Sequence, residues 1–118
     1  MSKHNVLVTL QQMRDFALEV TTMAQNRHLQ DLLQDKTLLR ALERTIQLIG
    51  EAANRLPADF QQRYPDVEWS EIIGMRNILV HGYDIIKHEV LWDTATSDIP
   101  KLLKQLQTIL QQLGLEND

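Results

Sequence analysis

The sequence predicts an all-α bundle of four main helices joined by short helical turns, with the last helix kinked or broken near Pro100. Three observations predict it. Apolar residues recur at spacings of three and four over long stretches. Glycine and proline are scarce, at 4 and 3 residues, while leucine, glutamine and glutamate are plentiful. No segment sustains the apolar–polar alternation of a half-buried strand.

The first helix is predicted over Asn5–Ala24, where Leu10, Met13, Ala17, Val20 and Ala24 form one stripe, extended by Val6 and flanked by Phe16. Gln25, Asn26 and Arg27 interrupt that stripe, and His28–Gln34 reads as a short connecting helix. The second helix is predicted over Lys36–Leu56, with Leu39, Leu42, Ile46, Ile49, Ala53 and Leu56 in three–four alternation. Pro57 ends it, because the residue before a proline disfavours helical dihedrals. Ala58–Tyr64 fits one short helical turn before Pro65 breaks the chain again. The third helix is predicted over Trp69–His81, with Gly82 where a left-handed C-terminal cap belongs. The fourth runs His88–Leu113 with Pro100 inside it. Gly114 closes it, and Leu115–Asp118 is a polar tail expected to fray.

The 118 residues match the size of one domain spanning 1–118, with 43% hydrophobic and 24% charged residues, an ordinary globular balance. Cysteine does not occur, which excludes disulfides, zinc ribbons and thiol catalysis. The N-terminal stretch lacks the apolar run and small-residue site of a signal peptide, and no segment is long and apolar enough to span a bilayer. A cytoplasmic protein without membrane contact is expected. The net charge of −4 argues against coating nucleic acid through bulk charge, so any RNA phosphate must be held by a local arginine.

The informative stretch is Ile72–Tyr83, IIGMRNILVHGY. Projected at about 100° per residue, Ile72, Met75, Ile78 and Leu79 cluster on one side, predicted to face the core. Asn77 and His81, four apart, stack on a second side. Arg76 lies five residues before His81, and its long side chain can swing toward the same groove. RNA cleavage without a metal needs a proton acceptor for the 2′-hydroxyl, a proton donor for the leaving oxygen and a cation for the phosphorane-like transition state. Histidine serves either proton-transfer role near neutral pH. The planar guanidinium of arginine holds two phosphate oxygens. Asn77 can orient the imidazole or the phosphate. The helix C-terminus favours imidazolium at His81, which suits an acid more than a base. On spacing alone, an arginine and a histidine on one helix fit a solvated polar face better than an active site, His81 a capping residue, and Tyr83 a packing residue with its hydroxyl in water.

Other polar residues carry weaker signals. His4, His28 and His88 stand singly, and His88-Glu89 lacks the second histidine of a zincin helix, so neither a metal nor a cofactor is expected. Glu51 and Asn54 fit a solvated face better than the cleft. Arg40, Glu43 and Arg44 read as exposed pairs, and Gln105, Gln107, Gln111 and Gln112 as a solvated face. Trp69 and Trp92 read as packing anchors.

The run Arg76–Tyr83, RNILVHGY, resembles the R-x4-H-x-Y signature of HepT-type proteins of the HEPN superfamily. The likeness extends to Arg40–Arg44 leading into Ile49–Ala53, to Trp69 followed by Glu71–Asn77, and to Trp92, Thr94, Asp98 and Pro100. It spans Leu39–Leu113. The resemblance implies a helical homodimer in which Arg76 and His81 from two subunits meet in one interfacial cleft, a metal-independent ribonuclease, with Asn77 in support. It also implies a neighbouring nucleotidyltransferase-type antitoxin, MntA, that attaches AMP to Tyr83 and silences the toxin, as in type VII toxin–antitoxin pairs. The sequence departs from the family after the tyrosine, where Asp84–His88 replaces an aromatic residue followed by an acid. Two alternatives stand beside the ribonuclease. One is a non-catalytic helical module that binds a nucleotide or its nucleotidyltransferase partner. The other is a structural dimer whose polar motif specifies its interface.

Overall fold

The computed structural model describes residues 3–81 and 87–114, with side chains from 6 to 80 and from 87 to 114. Among the described residues all regular structure is helical. Helix α1 (Lys3–Ala24) buries the predicted stripe, with Leu10, Met13, Ala17 and Val20 fully covered. It ends at Asn26, whose φ of 61° is a left-handed conformation that asparagine tolerates well. Helix α2 (Leu29–Gln34) begins where the Asp31 carboxylate accepts the His28 backbone N–H at 2.7 Å, and it buries Leu32.

Helix α3 (Lys36–Arg55) is the central element, packed between α1 and α5. Asp35 caps it by accepting the Leu38 N–H at 3.1 Å. Leu38, Leu42, Ile46, Ile49, Ala52 and Ala53 form its buried stripe. It stops at Leu56, held extended ahead of Pro57. The short α4 (Ala58–Arg63) then turns the chain, and Gln61 Nε2 donates back to the Ala53 carbonyl, which also accepts the Leu56 N–H, and to the Leu56 carbonyl. Phe60 of α4 lies buried between Tyr64 and Trp69, with ring centroids 5.0 and 6.4 Å away. The Trp69 indole N–H donates to the Tyr64 carbonyl at 3.0 Å. This aromatic clasp fixes the start of α5 (Trp69–His81) against the end of α3.

The predicted fourth helix is three consecutive pieces: α6 (His88–Asp93), a π-helical turn over Thr94–Asp98, and α7 (Ile99–Gln112). The expected kink near Pro100 takes the form of this widened turn, and the chain stays helical. The Ile99 N–H donates to the Thr94 carbonyl, five residues back. Pro100 follows in the first turn of α7, where a missing donor is tolerated. Thr94 and Thr96 hydroxyls donate to the Val90 and Trp92 carbonyls, at 2.9 and 2.7 Å. Leu102, Leu106, Ile109 and Leu110 of α7 close the core against α1. Gly114, at φ 78°, ends the helix. Gln105 departs from the predicted solvated face: it is half-buried and donates to the Asp66 carbonyl at 3.0 Å, tying α7 to the loop before α5. The predicted Gly82 cap and the Leu115–Asp118 tail lie outside the described residues.

Candidate active site

Helix α5 carries the motif, and its orientation is set by one close approach. Gly50, buried on α3, faces α5. A methyl group there would overlap Arg76 Cβ and sit 2.9 Å from the Ile72 carbonyl oxygen. The bare backbone of Gly50 therefore lets α5 settle onto α3 along the Ile72–Arg76 line, and the aliphatic stem of Arg76 occupies the seam.

This corrects the predicted orientation. Ile72, Met75 and Leu79 are partly buried against the core, but Ile78 is 47% exposed and Val80 41%. α5 is apolar nearly all round, so hydrophobic spacing does not decide which face turns inward; Gly50 does. The helix is rotated so that Arg76 lies at the seam and Ile78 points away from it. A Cβ at Gly74 would meet nothing within 4 Å, so the outward face, with Ser70, Gly74, Asn77 and Ile78, is open.

At the seam Arg76 is partly buried, and its Nε is fully covered with no hydrogen-bond partner among the described residues. Its Nη1 donates to Asn77 Oδ1 at 2.9 Å. Among the described residues no carboxylate lies within ion-pair distance of the guanidinium. Arg76 and His81 are separated by about 140° around the helix, with Asn77 between them. The bond to Asn77 therefore turns the guanidinium toward the side of α5 on which His81 stands. An arginine with unsatisfied donors and no paired carboxylate is suited to a phosphate. His81 is the last residue of α5, and its side chain lies outside the described residues, as does Tyr83.

Glu51 accepts from Gln47 Nε2 at 3.0 Å, and Asn54 is exposed. Arg40 and Glu43 pair at 2.9 Å on the surface. Trp69 is buried and Trp92 packs against the core. Among the described residues no group of His, Asp or Glu side chains could hold a metal ion. No helix is long and apolar enough to cross a membrane among those residues. Sequence reasoning gave Gly50 no role of its own. Its signal was present: an isolated glycine inside a strongly amphipathic helix usually marks a close backbone approach.

Described residues whose regular structure is all helical, with Arg76, Asn77 and His81 of an R-x4-H-x-Y sequence on one helix, fit the HEPN class. The family profile described as ribonuclease HepT-like matches residues 8–109, and the chain belongs to that family. Among similar proteins, "Putative RNase TTE0752" of Caldanaerobacter subterraneus is 40% identical over 83 residues, 70% of this chain and 74% of the relative. "Putative RNase MJ1380" of Methanocaldococcus jannaschii is 31% identical over 109 residues, 92% of this chain and 100% of the relative. "Probable ribonuclease HepT" of Thermococcus cleftensis is 40% identical over 73 residues, 62% of this chain and 66% of the relative. No solved structure matches the chain.

Replacing Gly50 by alanine tests the seam. Alanine raises helix propensity by about 0.5–1 kcal/mol, but its methyl must push Arg76 and the α5 backbone away, at about 1–3 kcal/mol. We expect Gly50→Ala to lower the urea midpoint and to reduce RNA cleavage together. Unchanged stability and cleavage would show that α5 is not held by this contact.

Proposed function

We propose that the chain is the ribonuclease toxin of a HepT/MntA-type, or type VII, toxin–antitoxin pair, acting as a single HepT-like unit that cleaves RNA without a metal. The observation that carries this reading is Arg76, whose guanidinium is held at a helix seam, bonded to Asn77 on the His81 side, and without an ion-paired carboxylate among the described residues. The family to which the chain belongs supports it.

In this reading Arg76 binds the scissile phosphate and Asn77 holds the guanidinium in place. The RNA 2′-hydroxyl loses its proton to a base and attacks phosphorus. The bond to the 5′-oxygen breaks, and that oxygen takes a proton. The products are a 2′,3′-cyclic phosphate and a 5′-hydroxyl. His81 supplies proton transfer, and the helix C-terminus biases it toward the donor role. A homodimer places a second Arg76 and His81 across the cleft, so that base and acid come from different copies. The open outer face of α5, with exposed Asn77 and Ile78 and an unfilled Gly74, is the surface this dimer would cover.

We expect Arg76→Ala and His81→Ala each to reduce cleavage by about a hundredfold or more with unchanged far-UV circular dichroism. Cleavage should persist in a chelator and leave cyclic phosphate ends. A folded His81→Ala protein with full activity, or strict magnesium dependence, would refute the assignment.

Gly74→Arg adds bulk and charge to the outer face without meeting an atom of its own protomer. It should convert the dimer to monomer in light scattering at micromolar concentration and abolish cleavage. An active monomer would refute the composite site.

The proposed control acts at Tyr83. An AMP on its hydroxyl adds a phosphate that competes for Arg76 and a purine that obstructs the cleft. The nucleotidyltransferase antitoxin with ATP should add one or more AMP masses to the wild-type chain and silence it. Tyr83→Phe should escape the added mass. AMP on another residue of the silenced protein, with Tyr83 unmodified, would make the mechanism wrong.

A further inference from the structure

A groove runs between the N-terminal half of α5 and the α6–α7 segment, floored by α3. It exists because α5 packs chiefly on α3 and does not close against α6 or α7. Its cavity measures about 250 Å³. The floor and walls are apolar, formed by Ile49, Ile72, Met75 and Leu102, and Val90 stands 44% exposed at the mouth.

The rim is acidic. Glu68 immediately precedes α5, Glu71 lies in its first turn, and Asp98 comes from the π-helical turn. Lys101 is the cation among the lining residues, and it already serves Glu68, with Nζ 3.6 Å from Oε1. The Lys101 charge also favours the ionised forms of Glu71 and Asp98, so three carboxylates share one lysine and the edge is net negative. Its hydrogen bond with Glu68, and the charge of that residue, hold the Glu71 carboxyl above its usual range. Burial, followed by the charges of Glu68 and Asp93, does the same at Asp98. A cation placed between Glu71 and Asp98 would relieve both.

We propose that this groove docks a basic amphipathic helix of a partner protein, one large apolar side chain entering the cavity and a lysine or arginine meeting Glu71 and Asp98. The cavity, about 250 Å³, accepts one large apolar side chain as an anchor. Helices that lie in grooves present such anchors three or four residues apart. The rim supplies the charge complementarity, and the open channel between α5 and α6–α7 supplies the bed. The groove lies on the opposite flank of α5 from Asn77, so the proposal does not depend on RNA cleavage.

The test is selection of a displayed library of peptides about four helical turns long against the full chain. Selected peptides are expected to carry lysine or arginine within one turn of leucine, methionine or phenylalanine. Their affinity should fall at least about tenfold with Glu71→Lys and with Asp98→Lys, substitutions on exposed side chains that leave the core intact. Met75→Trp, which fills the cavity, should abolish binding, and the unchanged thermal melt of the two surface variants guards against misfolding. Selected peptides without basic residues, or affinities indifferent to all three substitutions, would overturn the proposal. So would self-association of the chain that Met75→Trp abolishes, which would give the groove to a second copy.

Discussion

The contact between Gly50 and Arg76 decides how α5 lies on the protein. Helix seams are usually filled by aliphatic side chains, and α5 has enough of them to offer. Instead the missing side chain of Gly50 makes room for an arginine stem, whose methylenes supply the apolar contact while the guanidinium emerges beside Asn77. A covered Nε–H without a partner costs about 1–3 kcal/mol. The fold tolerates it, with Leu10, Met13, Leu42, Ile49, Leu106 and Leu110 fully buried in one continuous core. Packing at the seam also restricts the rotamers of Arg76.

The rest of the architecture serves that seam. Asp35 caps the start of α3, and Gln61 satisfies carbonyls at its end, so the helix bearing Gly50 is held at both termini. Phe60, Tyr64 and Trp69 lock the entry of α5. The two prolines on either side of α4 restrict the chain to the tight reversal that brings α5 back along α3. Further along, the π-helical turn carries the last helical segment past Pro100 without a break, and it projects Asp98 toward the groove instead of around the helix. Widened turns of this kind recur at functional positions.

Helix positions were legible in the sequence wherever one face was clearly apolar. The stripes of α1 and α3 are buried almost residue for residue, because a three–four repeat on an otherwise polar helix has one way to bury itself. α5 was different. Ile72, Ile73, Met75, Ile78, Leu79 and Val80 surround it, so periodicity located the helix but could not orient it. The motif residues were legible as chemistry, and Arg76 and Asn77 are adjacent through a hydrogen bond. The acidic rim was not legible, since Glu71 and Asp98 lie far apart in the chain and meet only through the packing of α3. The π-helical turn has no local composition that announces it; Pro100 marked the place, not the form.

An acidic chain that handles RNA must keep its negative charge away from the phosphate, and α5 provides the separation. Glu68 and Glu71 project toward the groove, whereas Asn77 lies about 120° around the helix from Glu71. Between the two flanks stands a helix of about 10–12 Å diameter. On the Arg76 side no carboxylate among the described residues competes for the guanidinium, despite the net charge of −4. The same division gives one helix two chemically opposite flanks, a cationic edge for an anion and an anionic edge for a cation.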